Sequence, residues 1–122
     1  MRYKYPRTVH LPWSPGFTAD DLHLDTLNHF QGKEVIVTEK MDGENTTIYG
    51  DYIHARSIDG RYHSSRDWVK QLQAQIAADI PCAWRFCGEN LYAVHSIAYK
   101  DLKSYFYLFA IFDEKNLCLS WD

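Results

Sequence analysis

One hundred and twenty-two residues, 46% of them hydrophobic and 24% charged, suit a single globular domain around one core. No apolar run approaches a membrane span, and the basic start Met1–Arg7 leads into no continuous apolar segment, which excludes a signal peptide reading. A net charge of -3 gives no global electrostatic case for nucleic acid, so such a partner has to be met by a local basic patch.

In chain order, Leu11-Pro12-Trp13-Ser14-Pro15-Gly16 reads as an irregular, proline-set loop. Thr18 with Asp21 three residues on predicts a helix start, with Leu22, Leu27 and Phe30 as its buried stripe and Gly32 as its stop. The β-branched run Val35-Ile36-Val37-Thr38 predicts a strand ending at Lys40, followed by Asp42-Gly43, a strong hairpin-turn signal. Thr46–Tyr49 and Tyr52–Arg56 flank Gly50-Asp51 and read as a two-residue hairpin.

Ser64-Ser65 is expected to cap a helix whose apolar positions Trp68, Val69, Leu72, Ile76 and Ile80 follow helical spacing, and Pro81 closes it. Ala83–Cys87 then reads as a short strand bounded by Gly88. Asn90–Lys103 is a variable segment, and Tyr105–Phe112 is the most apolar run, of a length and aromatic content that favour a buried strand. Leu117–Leu119 begins a last strand whose exposed edge could pair with another chain, including a second copy. Strands, helix, strands, with hairpin connections, predict an α+β domain with a mainly antiparallel sheet and flanking helices.

The three cysteines contain no C-x-x-C pair, so neither a disulfide framework nor a four-ligand zinc site is suggested. The histidines, His54, His63 and His95 among them, show no H-x-x-x-H spacing and are expected to be structural. The aromatic content of 16% is high; most rings belong in the core, and an aromatic sheet can also stack bases.

Lys40 is the residue on which chemistry turns. A lysine beside a carboxylate, Asp42, and a tight turn at Gly43 is the arrangement that makes an amine a nucleophile toward phosphorus; taken alone, the pattern is more often a solvated charge beside a hairpin. A lysine in water titrates near ~10.4, which leaves the neutral amine roughly 4–5 kcal/mol uphill at pH 7. A site that uses one lowers that cost by desolvation or by neighbouring cations.

Four segments in order carry a resemblance: Lys40-Met41-Asp42-Gly43-Glu44-Asn45, Arg56-Ser57, Phe86-Cys87-Gly88-Glu89-Asn90 and Phe109-Ala110-Ile111-Phe112-Asp113. With Tyr92–Ile97 and Tyr99–Leu102, they make the chain, from about residue 4 to its end, resemble ATP-dependent RNA ligases of the RNA ligase 2 type, in their bacterial and phage branch. These are relatives of DNA ligases and mRNA capping enzymes. The resemblance implies a partial nucleotidyltransferase (adenylation) domain spanning 1–122. Lys40 would attack the α-phosphorus of ATP, and the resulting lysyl-AMP would pass to an RNA 5′-phosphate before a 3′-hydroxyl seals the ends.

It further implies that Asp42 orients Lys40, takes its proton or holds metal, and that Gly43 allows the turn toward the phosphate. Glu39 would read adenine and Asn45 would bond the nucleotide. Arg56 would meet the ribose or α-phosphate, Glu89 a ribose hydroxyl, and Phe109 would stack on adenine. On strict alternation Phe109 shares a face with Tyr107 and Ile111, opposite Phe106, Leu108, Ala110 and Phe112, so a nucleotide on the second face would pick a different ring. Lys100 and Lys103 are better read as solvated than as phosphate contacts.

ATP and Mg2+ or Mn2+ are the implied cofactors and RNA ends the implied partners, in the cytoplasm and without a membrane. The family's later metal-holding and phosphate-contacting motifs have no match after Phe112, no metal ligand is assignable, and weak or absent activity of this segment by itself is expected. The rival readings are a DNA ligase or capping-type nucleotidyltransferase, and a non-catalytic module that binds RNA or a partner chain.

Overall fold

The computed structural model describes every residue except Gly16, Phe17 and Ala19, and divides into two units: Met1–Tyr5 with Lys40–Asp122, and Pro6–Glu39. The larger unit is a four-stranded antiparallel sheet with one α-helix, the α+β architecture expected. The strands are β1 (Glu44–Ile48), β2 (Ile53–His54), β3 (Arg85–Asn90) and β4 (Phe106–Phe112), in the spatial order β2-β1-β3-β4. Gly50-Asp51 forms the predicted tight connection: Tyr49 N–H donates to Tyr52 C=O at 2.8 Å, and Ile48 faces Ile53.

Between β2 and β3 lies helix α1 (Asp67–Ile76), entered through a single 3-10 turn at Ser64–Arg66 and left through another at Ala77–Asp79. The entry is capped one residue earlier than expected, because His63 Nδ1 accepts from Ser65 N–H at 3.2 Å. Val69 is fully buried, and Trp68, Leu72 and Ile76 pack around it with Ile48, Ile53, Ile80, Trp84, Phe86 and Phe106. Gln73 Nε2 donates to the carbonyls of Tyr49 and Tyr52 at 2.8 and 3.2 Å, which fastens the helix to the β1–β2 turn.

At the other end, Arg66 grips Glu44 with two bonds of 2.8 Å, and Asn90 Nδ2 reaches Ser65 C=O at 3.1 Å. The two-pronged geometry and partial burial lift this pair above an ordinary surface ion pair. Arg66→Ala is expected to lower unfolding stability by about 1–2 kcal/mol in urea denaturation; an unchanged midpoint would mean that water replaces the grip.

The registers sort the sheet's side chains. Glu44, Thr46, Ile48, Phe86, Gly88 and Asn90 share the helix-side face, and Asn45, Thr47, His54, Arg85, Cys87 and Glu89 share the other. β3 runs through Gly88 to Asn90 instead of stopping at Cys87, because Gly88 is the close-approach point: a Cβ there would strike the Phe106 ring and come within 2.6 Å of Tyr107 C=O.

The strand contacts break step at that point. Cys87 faces Ala110 but Gly88 faces Leu108, so Phe109 is an extra, bulged residue. Strict alternation therefore fails in β4. By register Phe106, Leu108 and Ile111 fall on the helix side, and Tyr107, Ala110 and Phe112 on the other.

The face away from the helix is covered by Met1–Tyr5 where Thr47, His54, Arg85 and Cys87 are buried, and is open only at its Asn45–Glu89 end. Tyr3 N–H donates to Tyr49 Oη at 2.9 Å, Arg2 stacks 3.9 Å over the Tyr52 ring, and Tyr5 meets Phe109 and Phe112 edge-on at 5.1 and 6.3 Å. Tyr49 Oη in turn meets His54 Nε2 at 3.2 Å, while His54 Nδ1 lies 2.6 Å from Ala55 C=O. With Nδ1 donating to that carbonyl, Nε2 accepts the Tyr49 hydroxyl, which is the neutral tautomer.

Burial holds the His54 pKa below its usual value, and Arg2 and Arg85 add to the effect against the bond to Ala55. A depressed folded-state value contributes stability above the unfolded pKa of about 6.5 and loses it as pH falls below that. Thermal melts are expected to show lower stability at pH 5 than at pH 7.5, a difference that His54→Gln reduces.

Three sequence expectations are corrected. Among the described residues no α-helix forms at 18–32; those of Pro6–Glu39 contain a His10–His23 parallel bridge and a 3-10 turn, Asn28–Phe30. The Thr18–Asp21 signal is real but local: Asp21 Oδ2 accepts from Thr18 N–H at 2.8 Å, and Thr26 Oγ1 accepts from Asn28 N–H at 3.3 Å. Such short side chains offer the backbone an alternative to the helix ladder. Leu22, Leu27 and Phe30 remain 39–45% exposed.

Val35–Lys40 is not a strand. Val35, Ile36 and Val37 are 50–89% exposed with no paired neighbour among the described residues, so β-propensity alone did not make an element. Lys40–Gly43 consequently leads into β1 and is not a hairpin turn. Leu117–Leu119 makes only one bridge, Cys118 to Phe112, with Leu119 N–H on Ile111 C=O at 2.8 Å. That return covers the far end of β4's edge. The irregular loop at 11–16 is seen as a turn from Leu11 to Ser14, with Gly16 outside the described residues.

Candidate active site

The open face of the sheet concentrates the polar groups. Asn45 faces Glu89 across the β1–β3 ladder, on the face away from the helix. The β1–β2 register, continued two residues past the end of β2, would set Arg56 opposite Asn45 and so make one row of Arg56, Asn45 and Glu89. Arg56 itself is exposed in the loop after β2, and no ion pair or side-chain hydrogen bond holds it among the described residues.

Asn45 Oδ1 is buried and accepts no hydrogen bond. An orphaned acceptor of this kind costs about 1–3 kcal/mol and calls for a partner. Beside it, Glu89 is half-buried, and desolvation pushes its carboxyl pKa up despite the bond from Gly43 N–H at 3.2 Å and the pull of the Lys40 charge. Lys40 is exposed on the segment leading into β1, close enough to Glu89 for their charges to interact.

Gly43 is needed here for space and not for an unusual turn. Its φ is not positive, but a Cβ would strike Asn90 C=O and lie 2.7 Å from Leu91 Cδ2. Asp42 has an occupation that the sequence did not suggest. Its Oδ2 accepts from Ser96 N–H (2.9 Å), Ser96 Oγ–H (2.6 Å) and Ile97 N–H (3.1 Å), and its own N–H donates to Tyr99 Oη at 2.7 Å. The bonds from Ser96, chiefly from its hydroxyl, hold the Asp42 carboxyl below the usual range. So engaged, it is a weak base, and it ties the 96–99 loop to the segment carrying Lys40.

Phe109 is partly buried at the bulge, against Tyr5 and beside Phe112. Phe106 is committed to the hydrophobic core, and Phe112 lies 3.9 Å under the Arg85 guanidinium. Of the three phenylalanines, Phe109 is the one tied neither to the core cluster nor to Arg85; its ring meets Tyr5. Glu39 is exposed, at the end of the Pro6–Glu39 unit. The residues missed from sequence are Tyr5, which had no motif to mark it, and Ser96 and Tyr99, whose contact with Asp42 spans more than 50 positions.

Among the described residues no group of three or more His, Cys, Asp or Glu side chains is placed to hold a metal ion, and no helix is long and apolar enough to cross a membrane.

Comparison with protein families matches residues 33–122, about three-quarters of the chain, to the family described as RNA ligase. No curated protein and no solved structure matches in the corresponding comparisons. The match begins just before Lys40 and takes in all four strands and the helix of the sheet unit, and the chain therefore belongs to the RNA ligase family.

Proposed function

We propose that the chain carries the adenylation half-reaction of an ATP-dependent RNA ligase, with Lys40 as the nucleophile. Family membership supports a ligase-type activity. The observation that carries the finer reading is Asn45 Oδ1, a buried acceptor without a donor in the same row as the desolvated Glu89. Both are oxygen acceptors waiting for N–H or O–H groups, which adenosine supplies from its base and its ribose.

The chemistry then runs in three displacements. Lys40 Nζ, having lost a proton to solvent, forms a bond to the α-phosphorus of ATP while the bond to the bridging oxygen breaks and pyrophosphate leaves. An oxygen of an RNA 5′-phosphate attacks the same phosphorus, breaking the P–N bond and returning the amine. A 3′-hydroxyl then attacks the 5′-phosphorus and AMP departs. In this reading Glu89 accepts from a ribose hydroxyl, Asn45 from the nucleotide, and Phe109 stacks on the base; Arg56 swings in to a phosphate or ribose with its planar donor fork. A cytoplasmic setting, where ATP and RNA meet, belongs to the same proposal.

Titration with ATP and with GTP, followed by amide and side-chain NMR, tests the pocket. ATP is expected to shift the Asn45 side-chain amide and the backbone amides of Glu89 and Phe109, with GTP weaker by at least about tenfold, equivalent to ~1.4 kcal/mol. Equal response to GTP would favour a capping-type enzyme. No movement at Asn45 and Glu89 would remove the nucleotide reading.

A further inference from the structure

A recess lies beside Asp42. Asp42, Leu91, Tyr92, Val94, Tyr99 and Tyr105 are among the residues lining a cavity of about 210 Å³. It sits where β3 and β4 run past their ends, joined by Leu91 N–H on Tyr105 C=O at 2.7 Å. Tyr105 leans on Trp68, edge to face at 5.4 Å. The recess adjoins the nucleotide row through Asp42 and Gly43, whose N–H donates to Glu89, but neither Asn45 nor Glu89 lines it.

We propose that this cavity receives a nucleobase of the RNA end that is being joined. The inference rests on the ligase reading for the identity of the polymer. Four observations carry it. The volume falls below the roughly 300–1,000 Å³ of sites that enclose whole drug-sized ligands, so it admits one ring system and leaves sugar and phosphate outside. Tyr92 and Tyr105 stand edge to face at 5.4 Å, and Tyr92 is 52% exposed, a ring held in place with a free side. Stacking on such a ring suits any base.

The polar group is also right. Only Oδ2 of Asp42 is engaged by the Ser96–Ile97 loop; Oδ1 receives no hydrogen bond from the described residues and can accept from an N–H on the base edge. Finally, the segment that frames the cavity carries exposed His95, Lys100 and Lys103, which complement phosphates left outside. Asp42 is two residues from Lys40, so a base seated here belongs to the nucleotide next to the reacting end. Asp42 then acts as a positioning residue, holding the loop wall with one oxygen and reading the base with the other.

A 5′-phosphorylated single-stranded RNA carrying 2-aminopurine at its first position provides the probe. Binding to the intact chain is expected to quench its fluorescence. Tyr92→Ala is expected to weaken that binding about 5- to 100-fold, the equivalent of about 1–3 kcal/mol for one stacked base, and Tyr92→Phe to restore it, since the ring and not the hydroxyl stacks. Tyr92 is half exposed, so the fold is not at risk, and ATP-induced shifts at Asn45 in the variant verify that.

Equal quenching by Tyr92→Ala, or none by the parent chain, overturns the subsite. Quenching that depends on Tyr92 while ATP leaves Asn45 and Glu89 unmoved supports the base site and removes the adenylation reading instead. The two proposals therefore fail separately.

Discussion

Incubated with ATP and magnesium, the 122-residue chain is expected to gain the mass of one AMP on Lys40, slowly and in a minor fraction of molecules, and Lys40→Ala is expected to gain none. The loss is expected to be complete because Lys40 is the lysine whose charge acts on Glu89. The slowness follows from its surroundings. Lys40 is exposed, its neighbour Asp42 is consumed by three donors, and Arg56 stands loose in a loop. A transition state without preorganised charge loses the largest catalytic term.

Intact-mass measurement with peptide mapping reads the result. An adduct that persists in Lys40→Ala, or maps to Lys100 or Lys103, would sink the assignment. A rapid, stoichiometric adduct would show that the exposed geometry is no handicap. Glu89→Ala provides the graded case. It removes an acceptor and leaves Gly43 N–H without its partner, and the adduct rate is expected to fall by about tenfold to a hundredfold.

The elements that sequence revealed share one property: their signal was carried by several residues acting together. Helix α1 was legible because Val69, Leu72, Ile76 and Ile80 repeat at helical spacing, and the structure buries that stripe. The β1–β2 hairpin was legible because Gly50-Asp51 punctuates two runs rich in β-branched and aromatic residues, Thr46–Tyr49 and Tyr52–Arg56. Where a single local cue stood in for a pattern, tertiary context overrode it. Thr18–Asp21 made its bond but no helix grew, because Asp25, Thr26 and Asn28 follow where helix formers were needed. Val35–Val37 had the right residues for a strand and no neighbour to pair with.

The candidate site was legible in its membership and not in its geometry. Motif order brought Lys40, Asn45, Glu89 and Phe109 to one list, and the fold sets Asn45 and Glu89 in one row with Lys40 near. Two roles shifted. Asp42 read as a partner for the nucleophile, but its bonds run to residues more than 50 positions away, which no local spacing encodes. The choice among the three phenylalanines of β4 could not be made by alternation, because a one-residue bulge resets the phase in the middle of the strand. The glycine opposite that bulge was read as a strand terminator when it is the reason the strand can continue.

Gly88→Ala is therefore expected to be among the most damaging single-methyl changes in the chain. The added Cβ would meet the Phe106 ring on one side and Tyr107 C=O at 2.6 Å on the other. The ring could turn, but it belongs to the cluster around Val69 and Ile48, so turning it opens the core. The carbonyl cannot turn without breaking the β3–β4 ladder at the residue paired with Glu89. Overpacking of this kind costs about 1–3 kcal/mol, and a backbone contact puts Gly88 at or above the top of that range. Gly50→Ala is the matched control: its Cβ would lie 3.6 Å from the nearest atom, Ala77 C=O, an ordinary contact, and its φ is not positive. It is expected to be neutral or slightly stabilising through the unfolded chain. Urea denaturation of the two variants side by side reads the difference directly. If Gly88→Ala unfolds at the parent midpoint, the close approach of β3 to β4 is not what fixes the bulge, and the placement of Phe109 on the open face loses its physical basis.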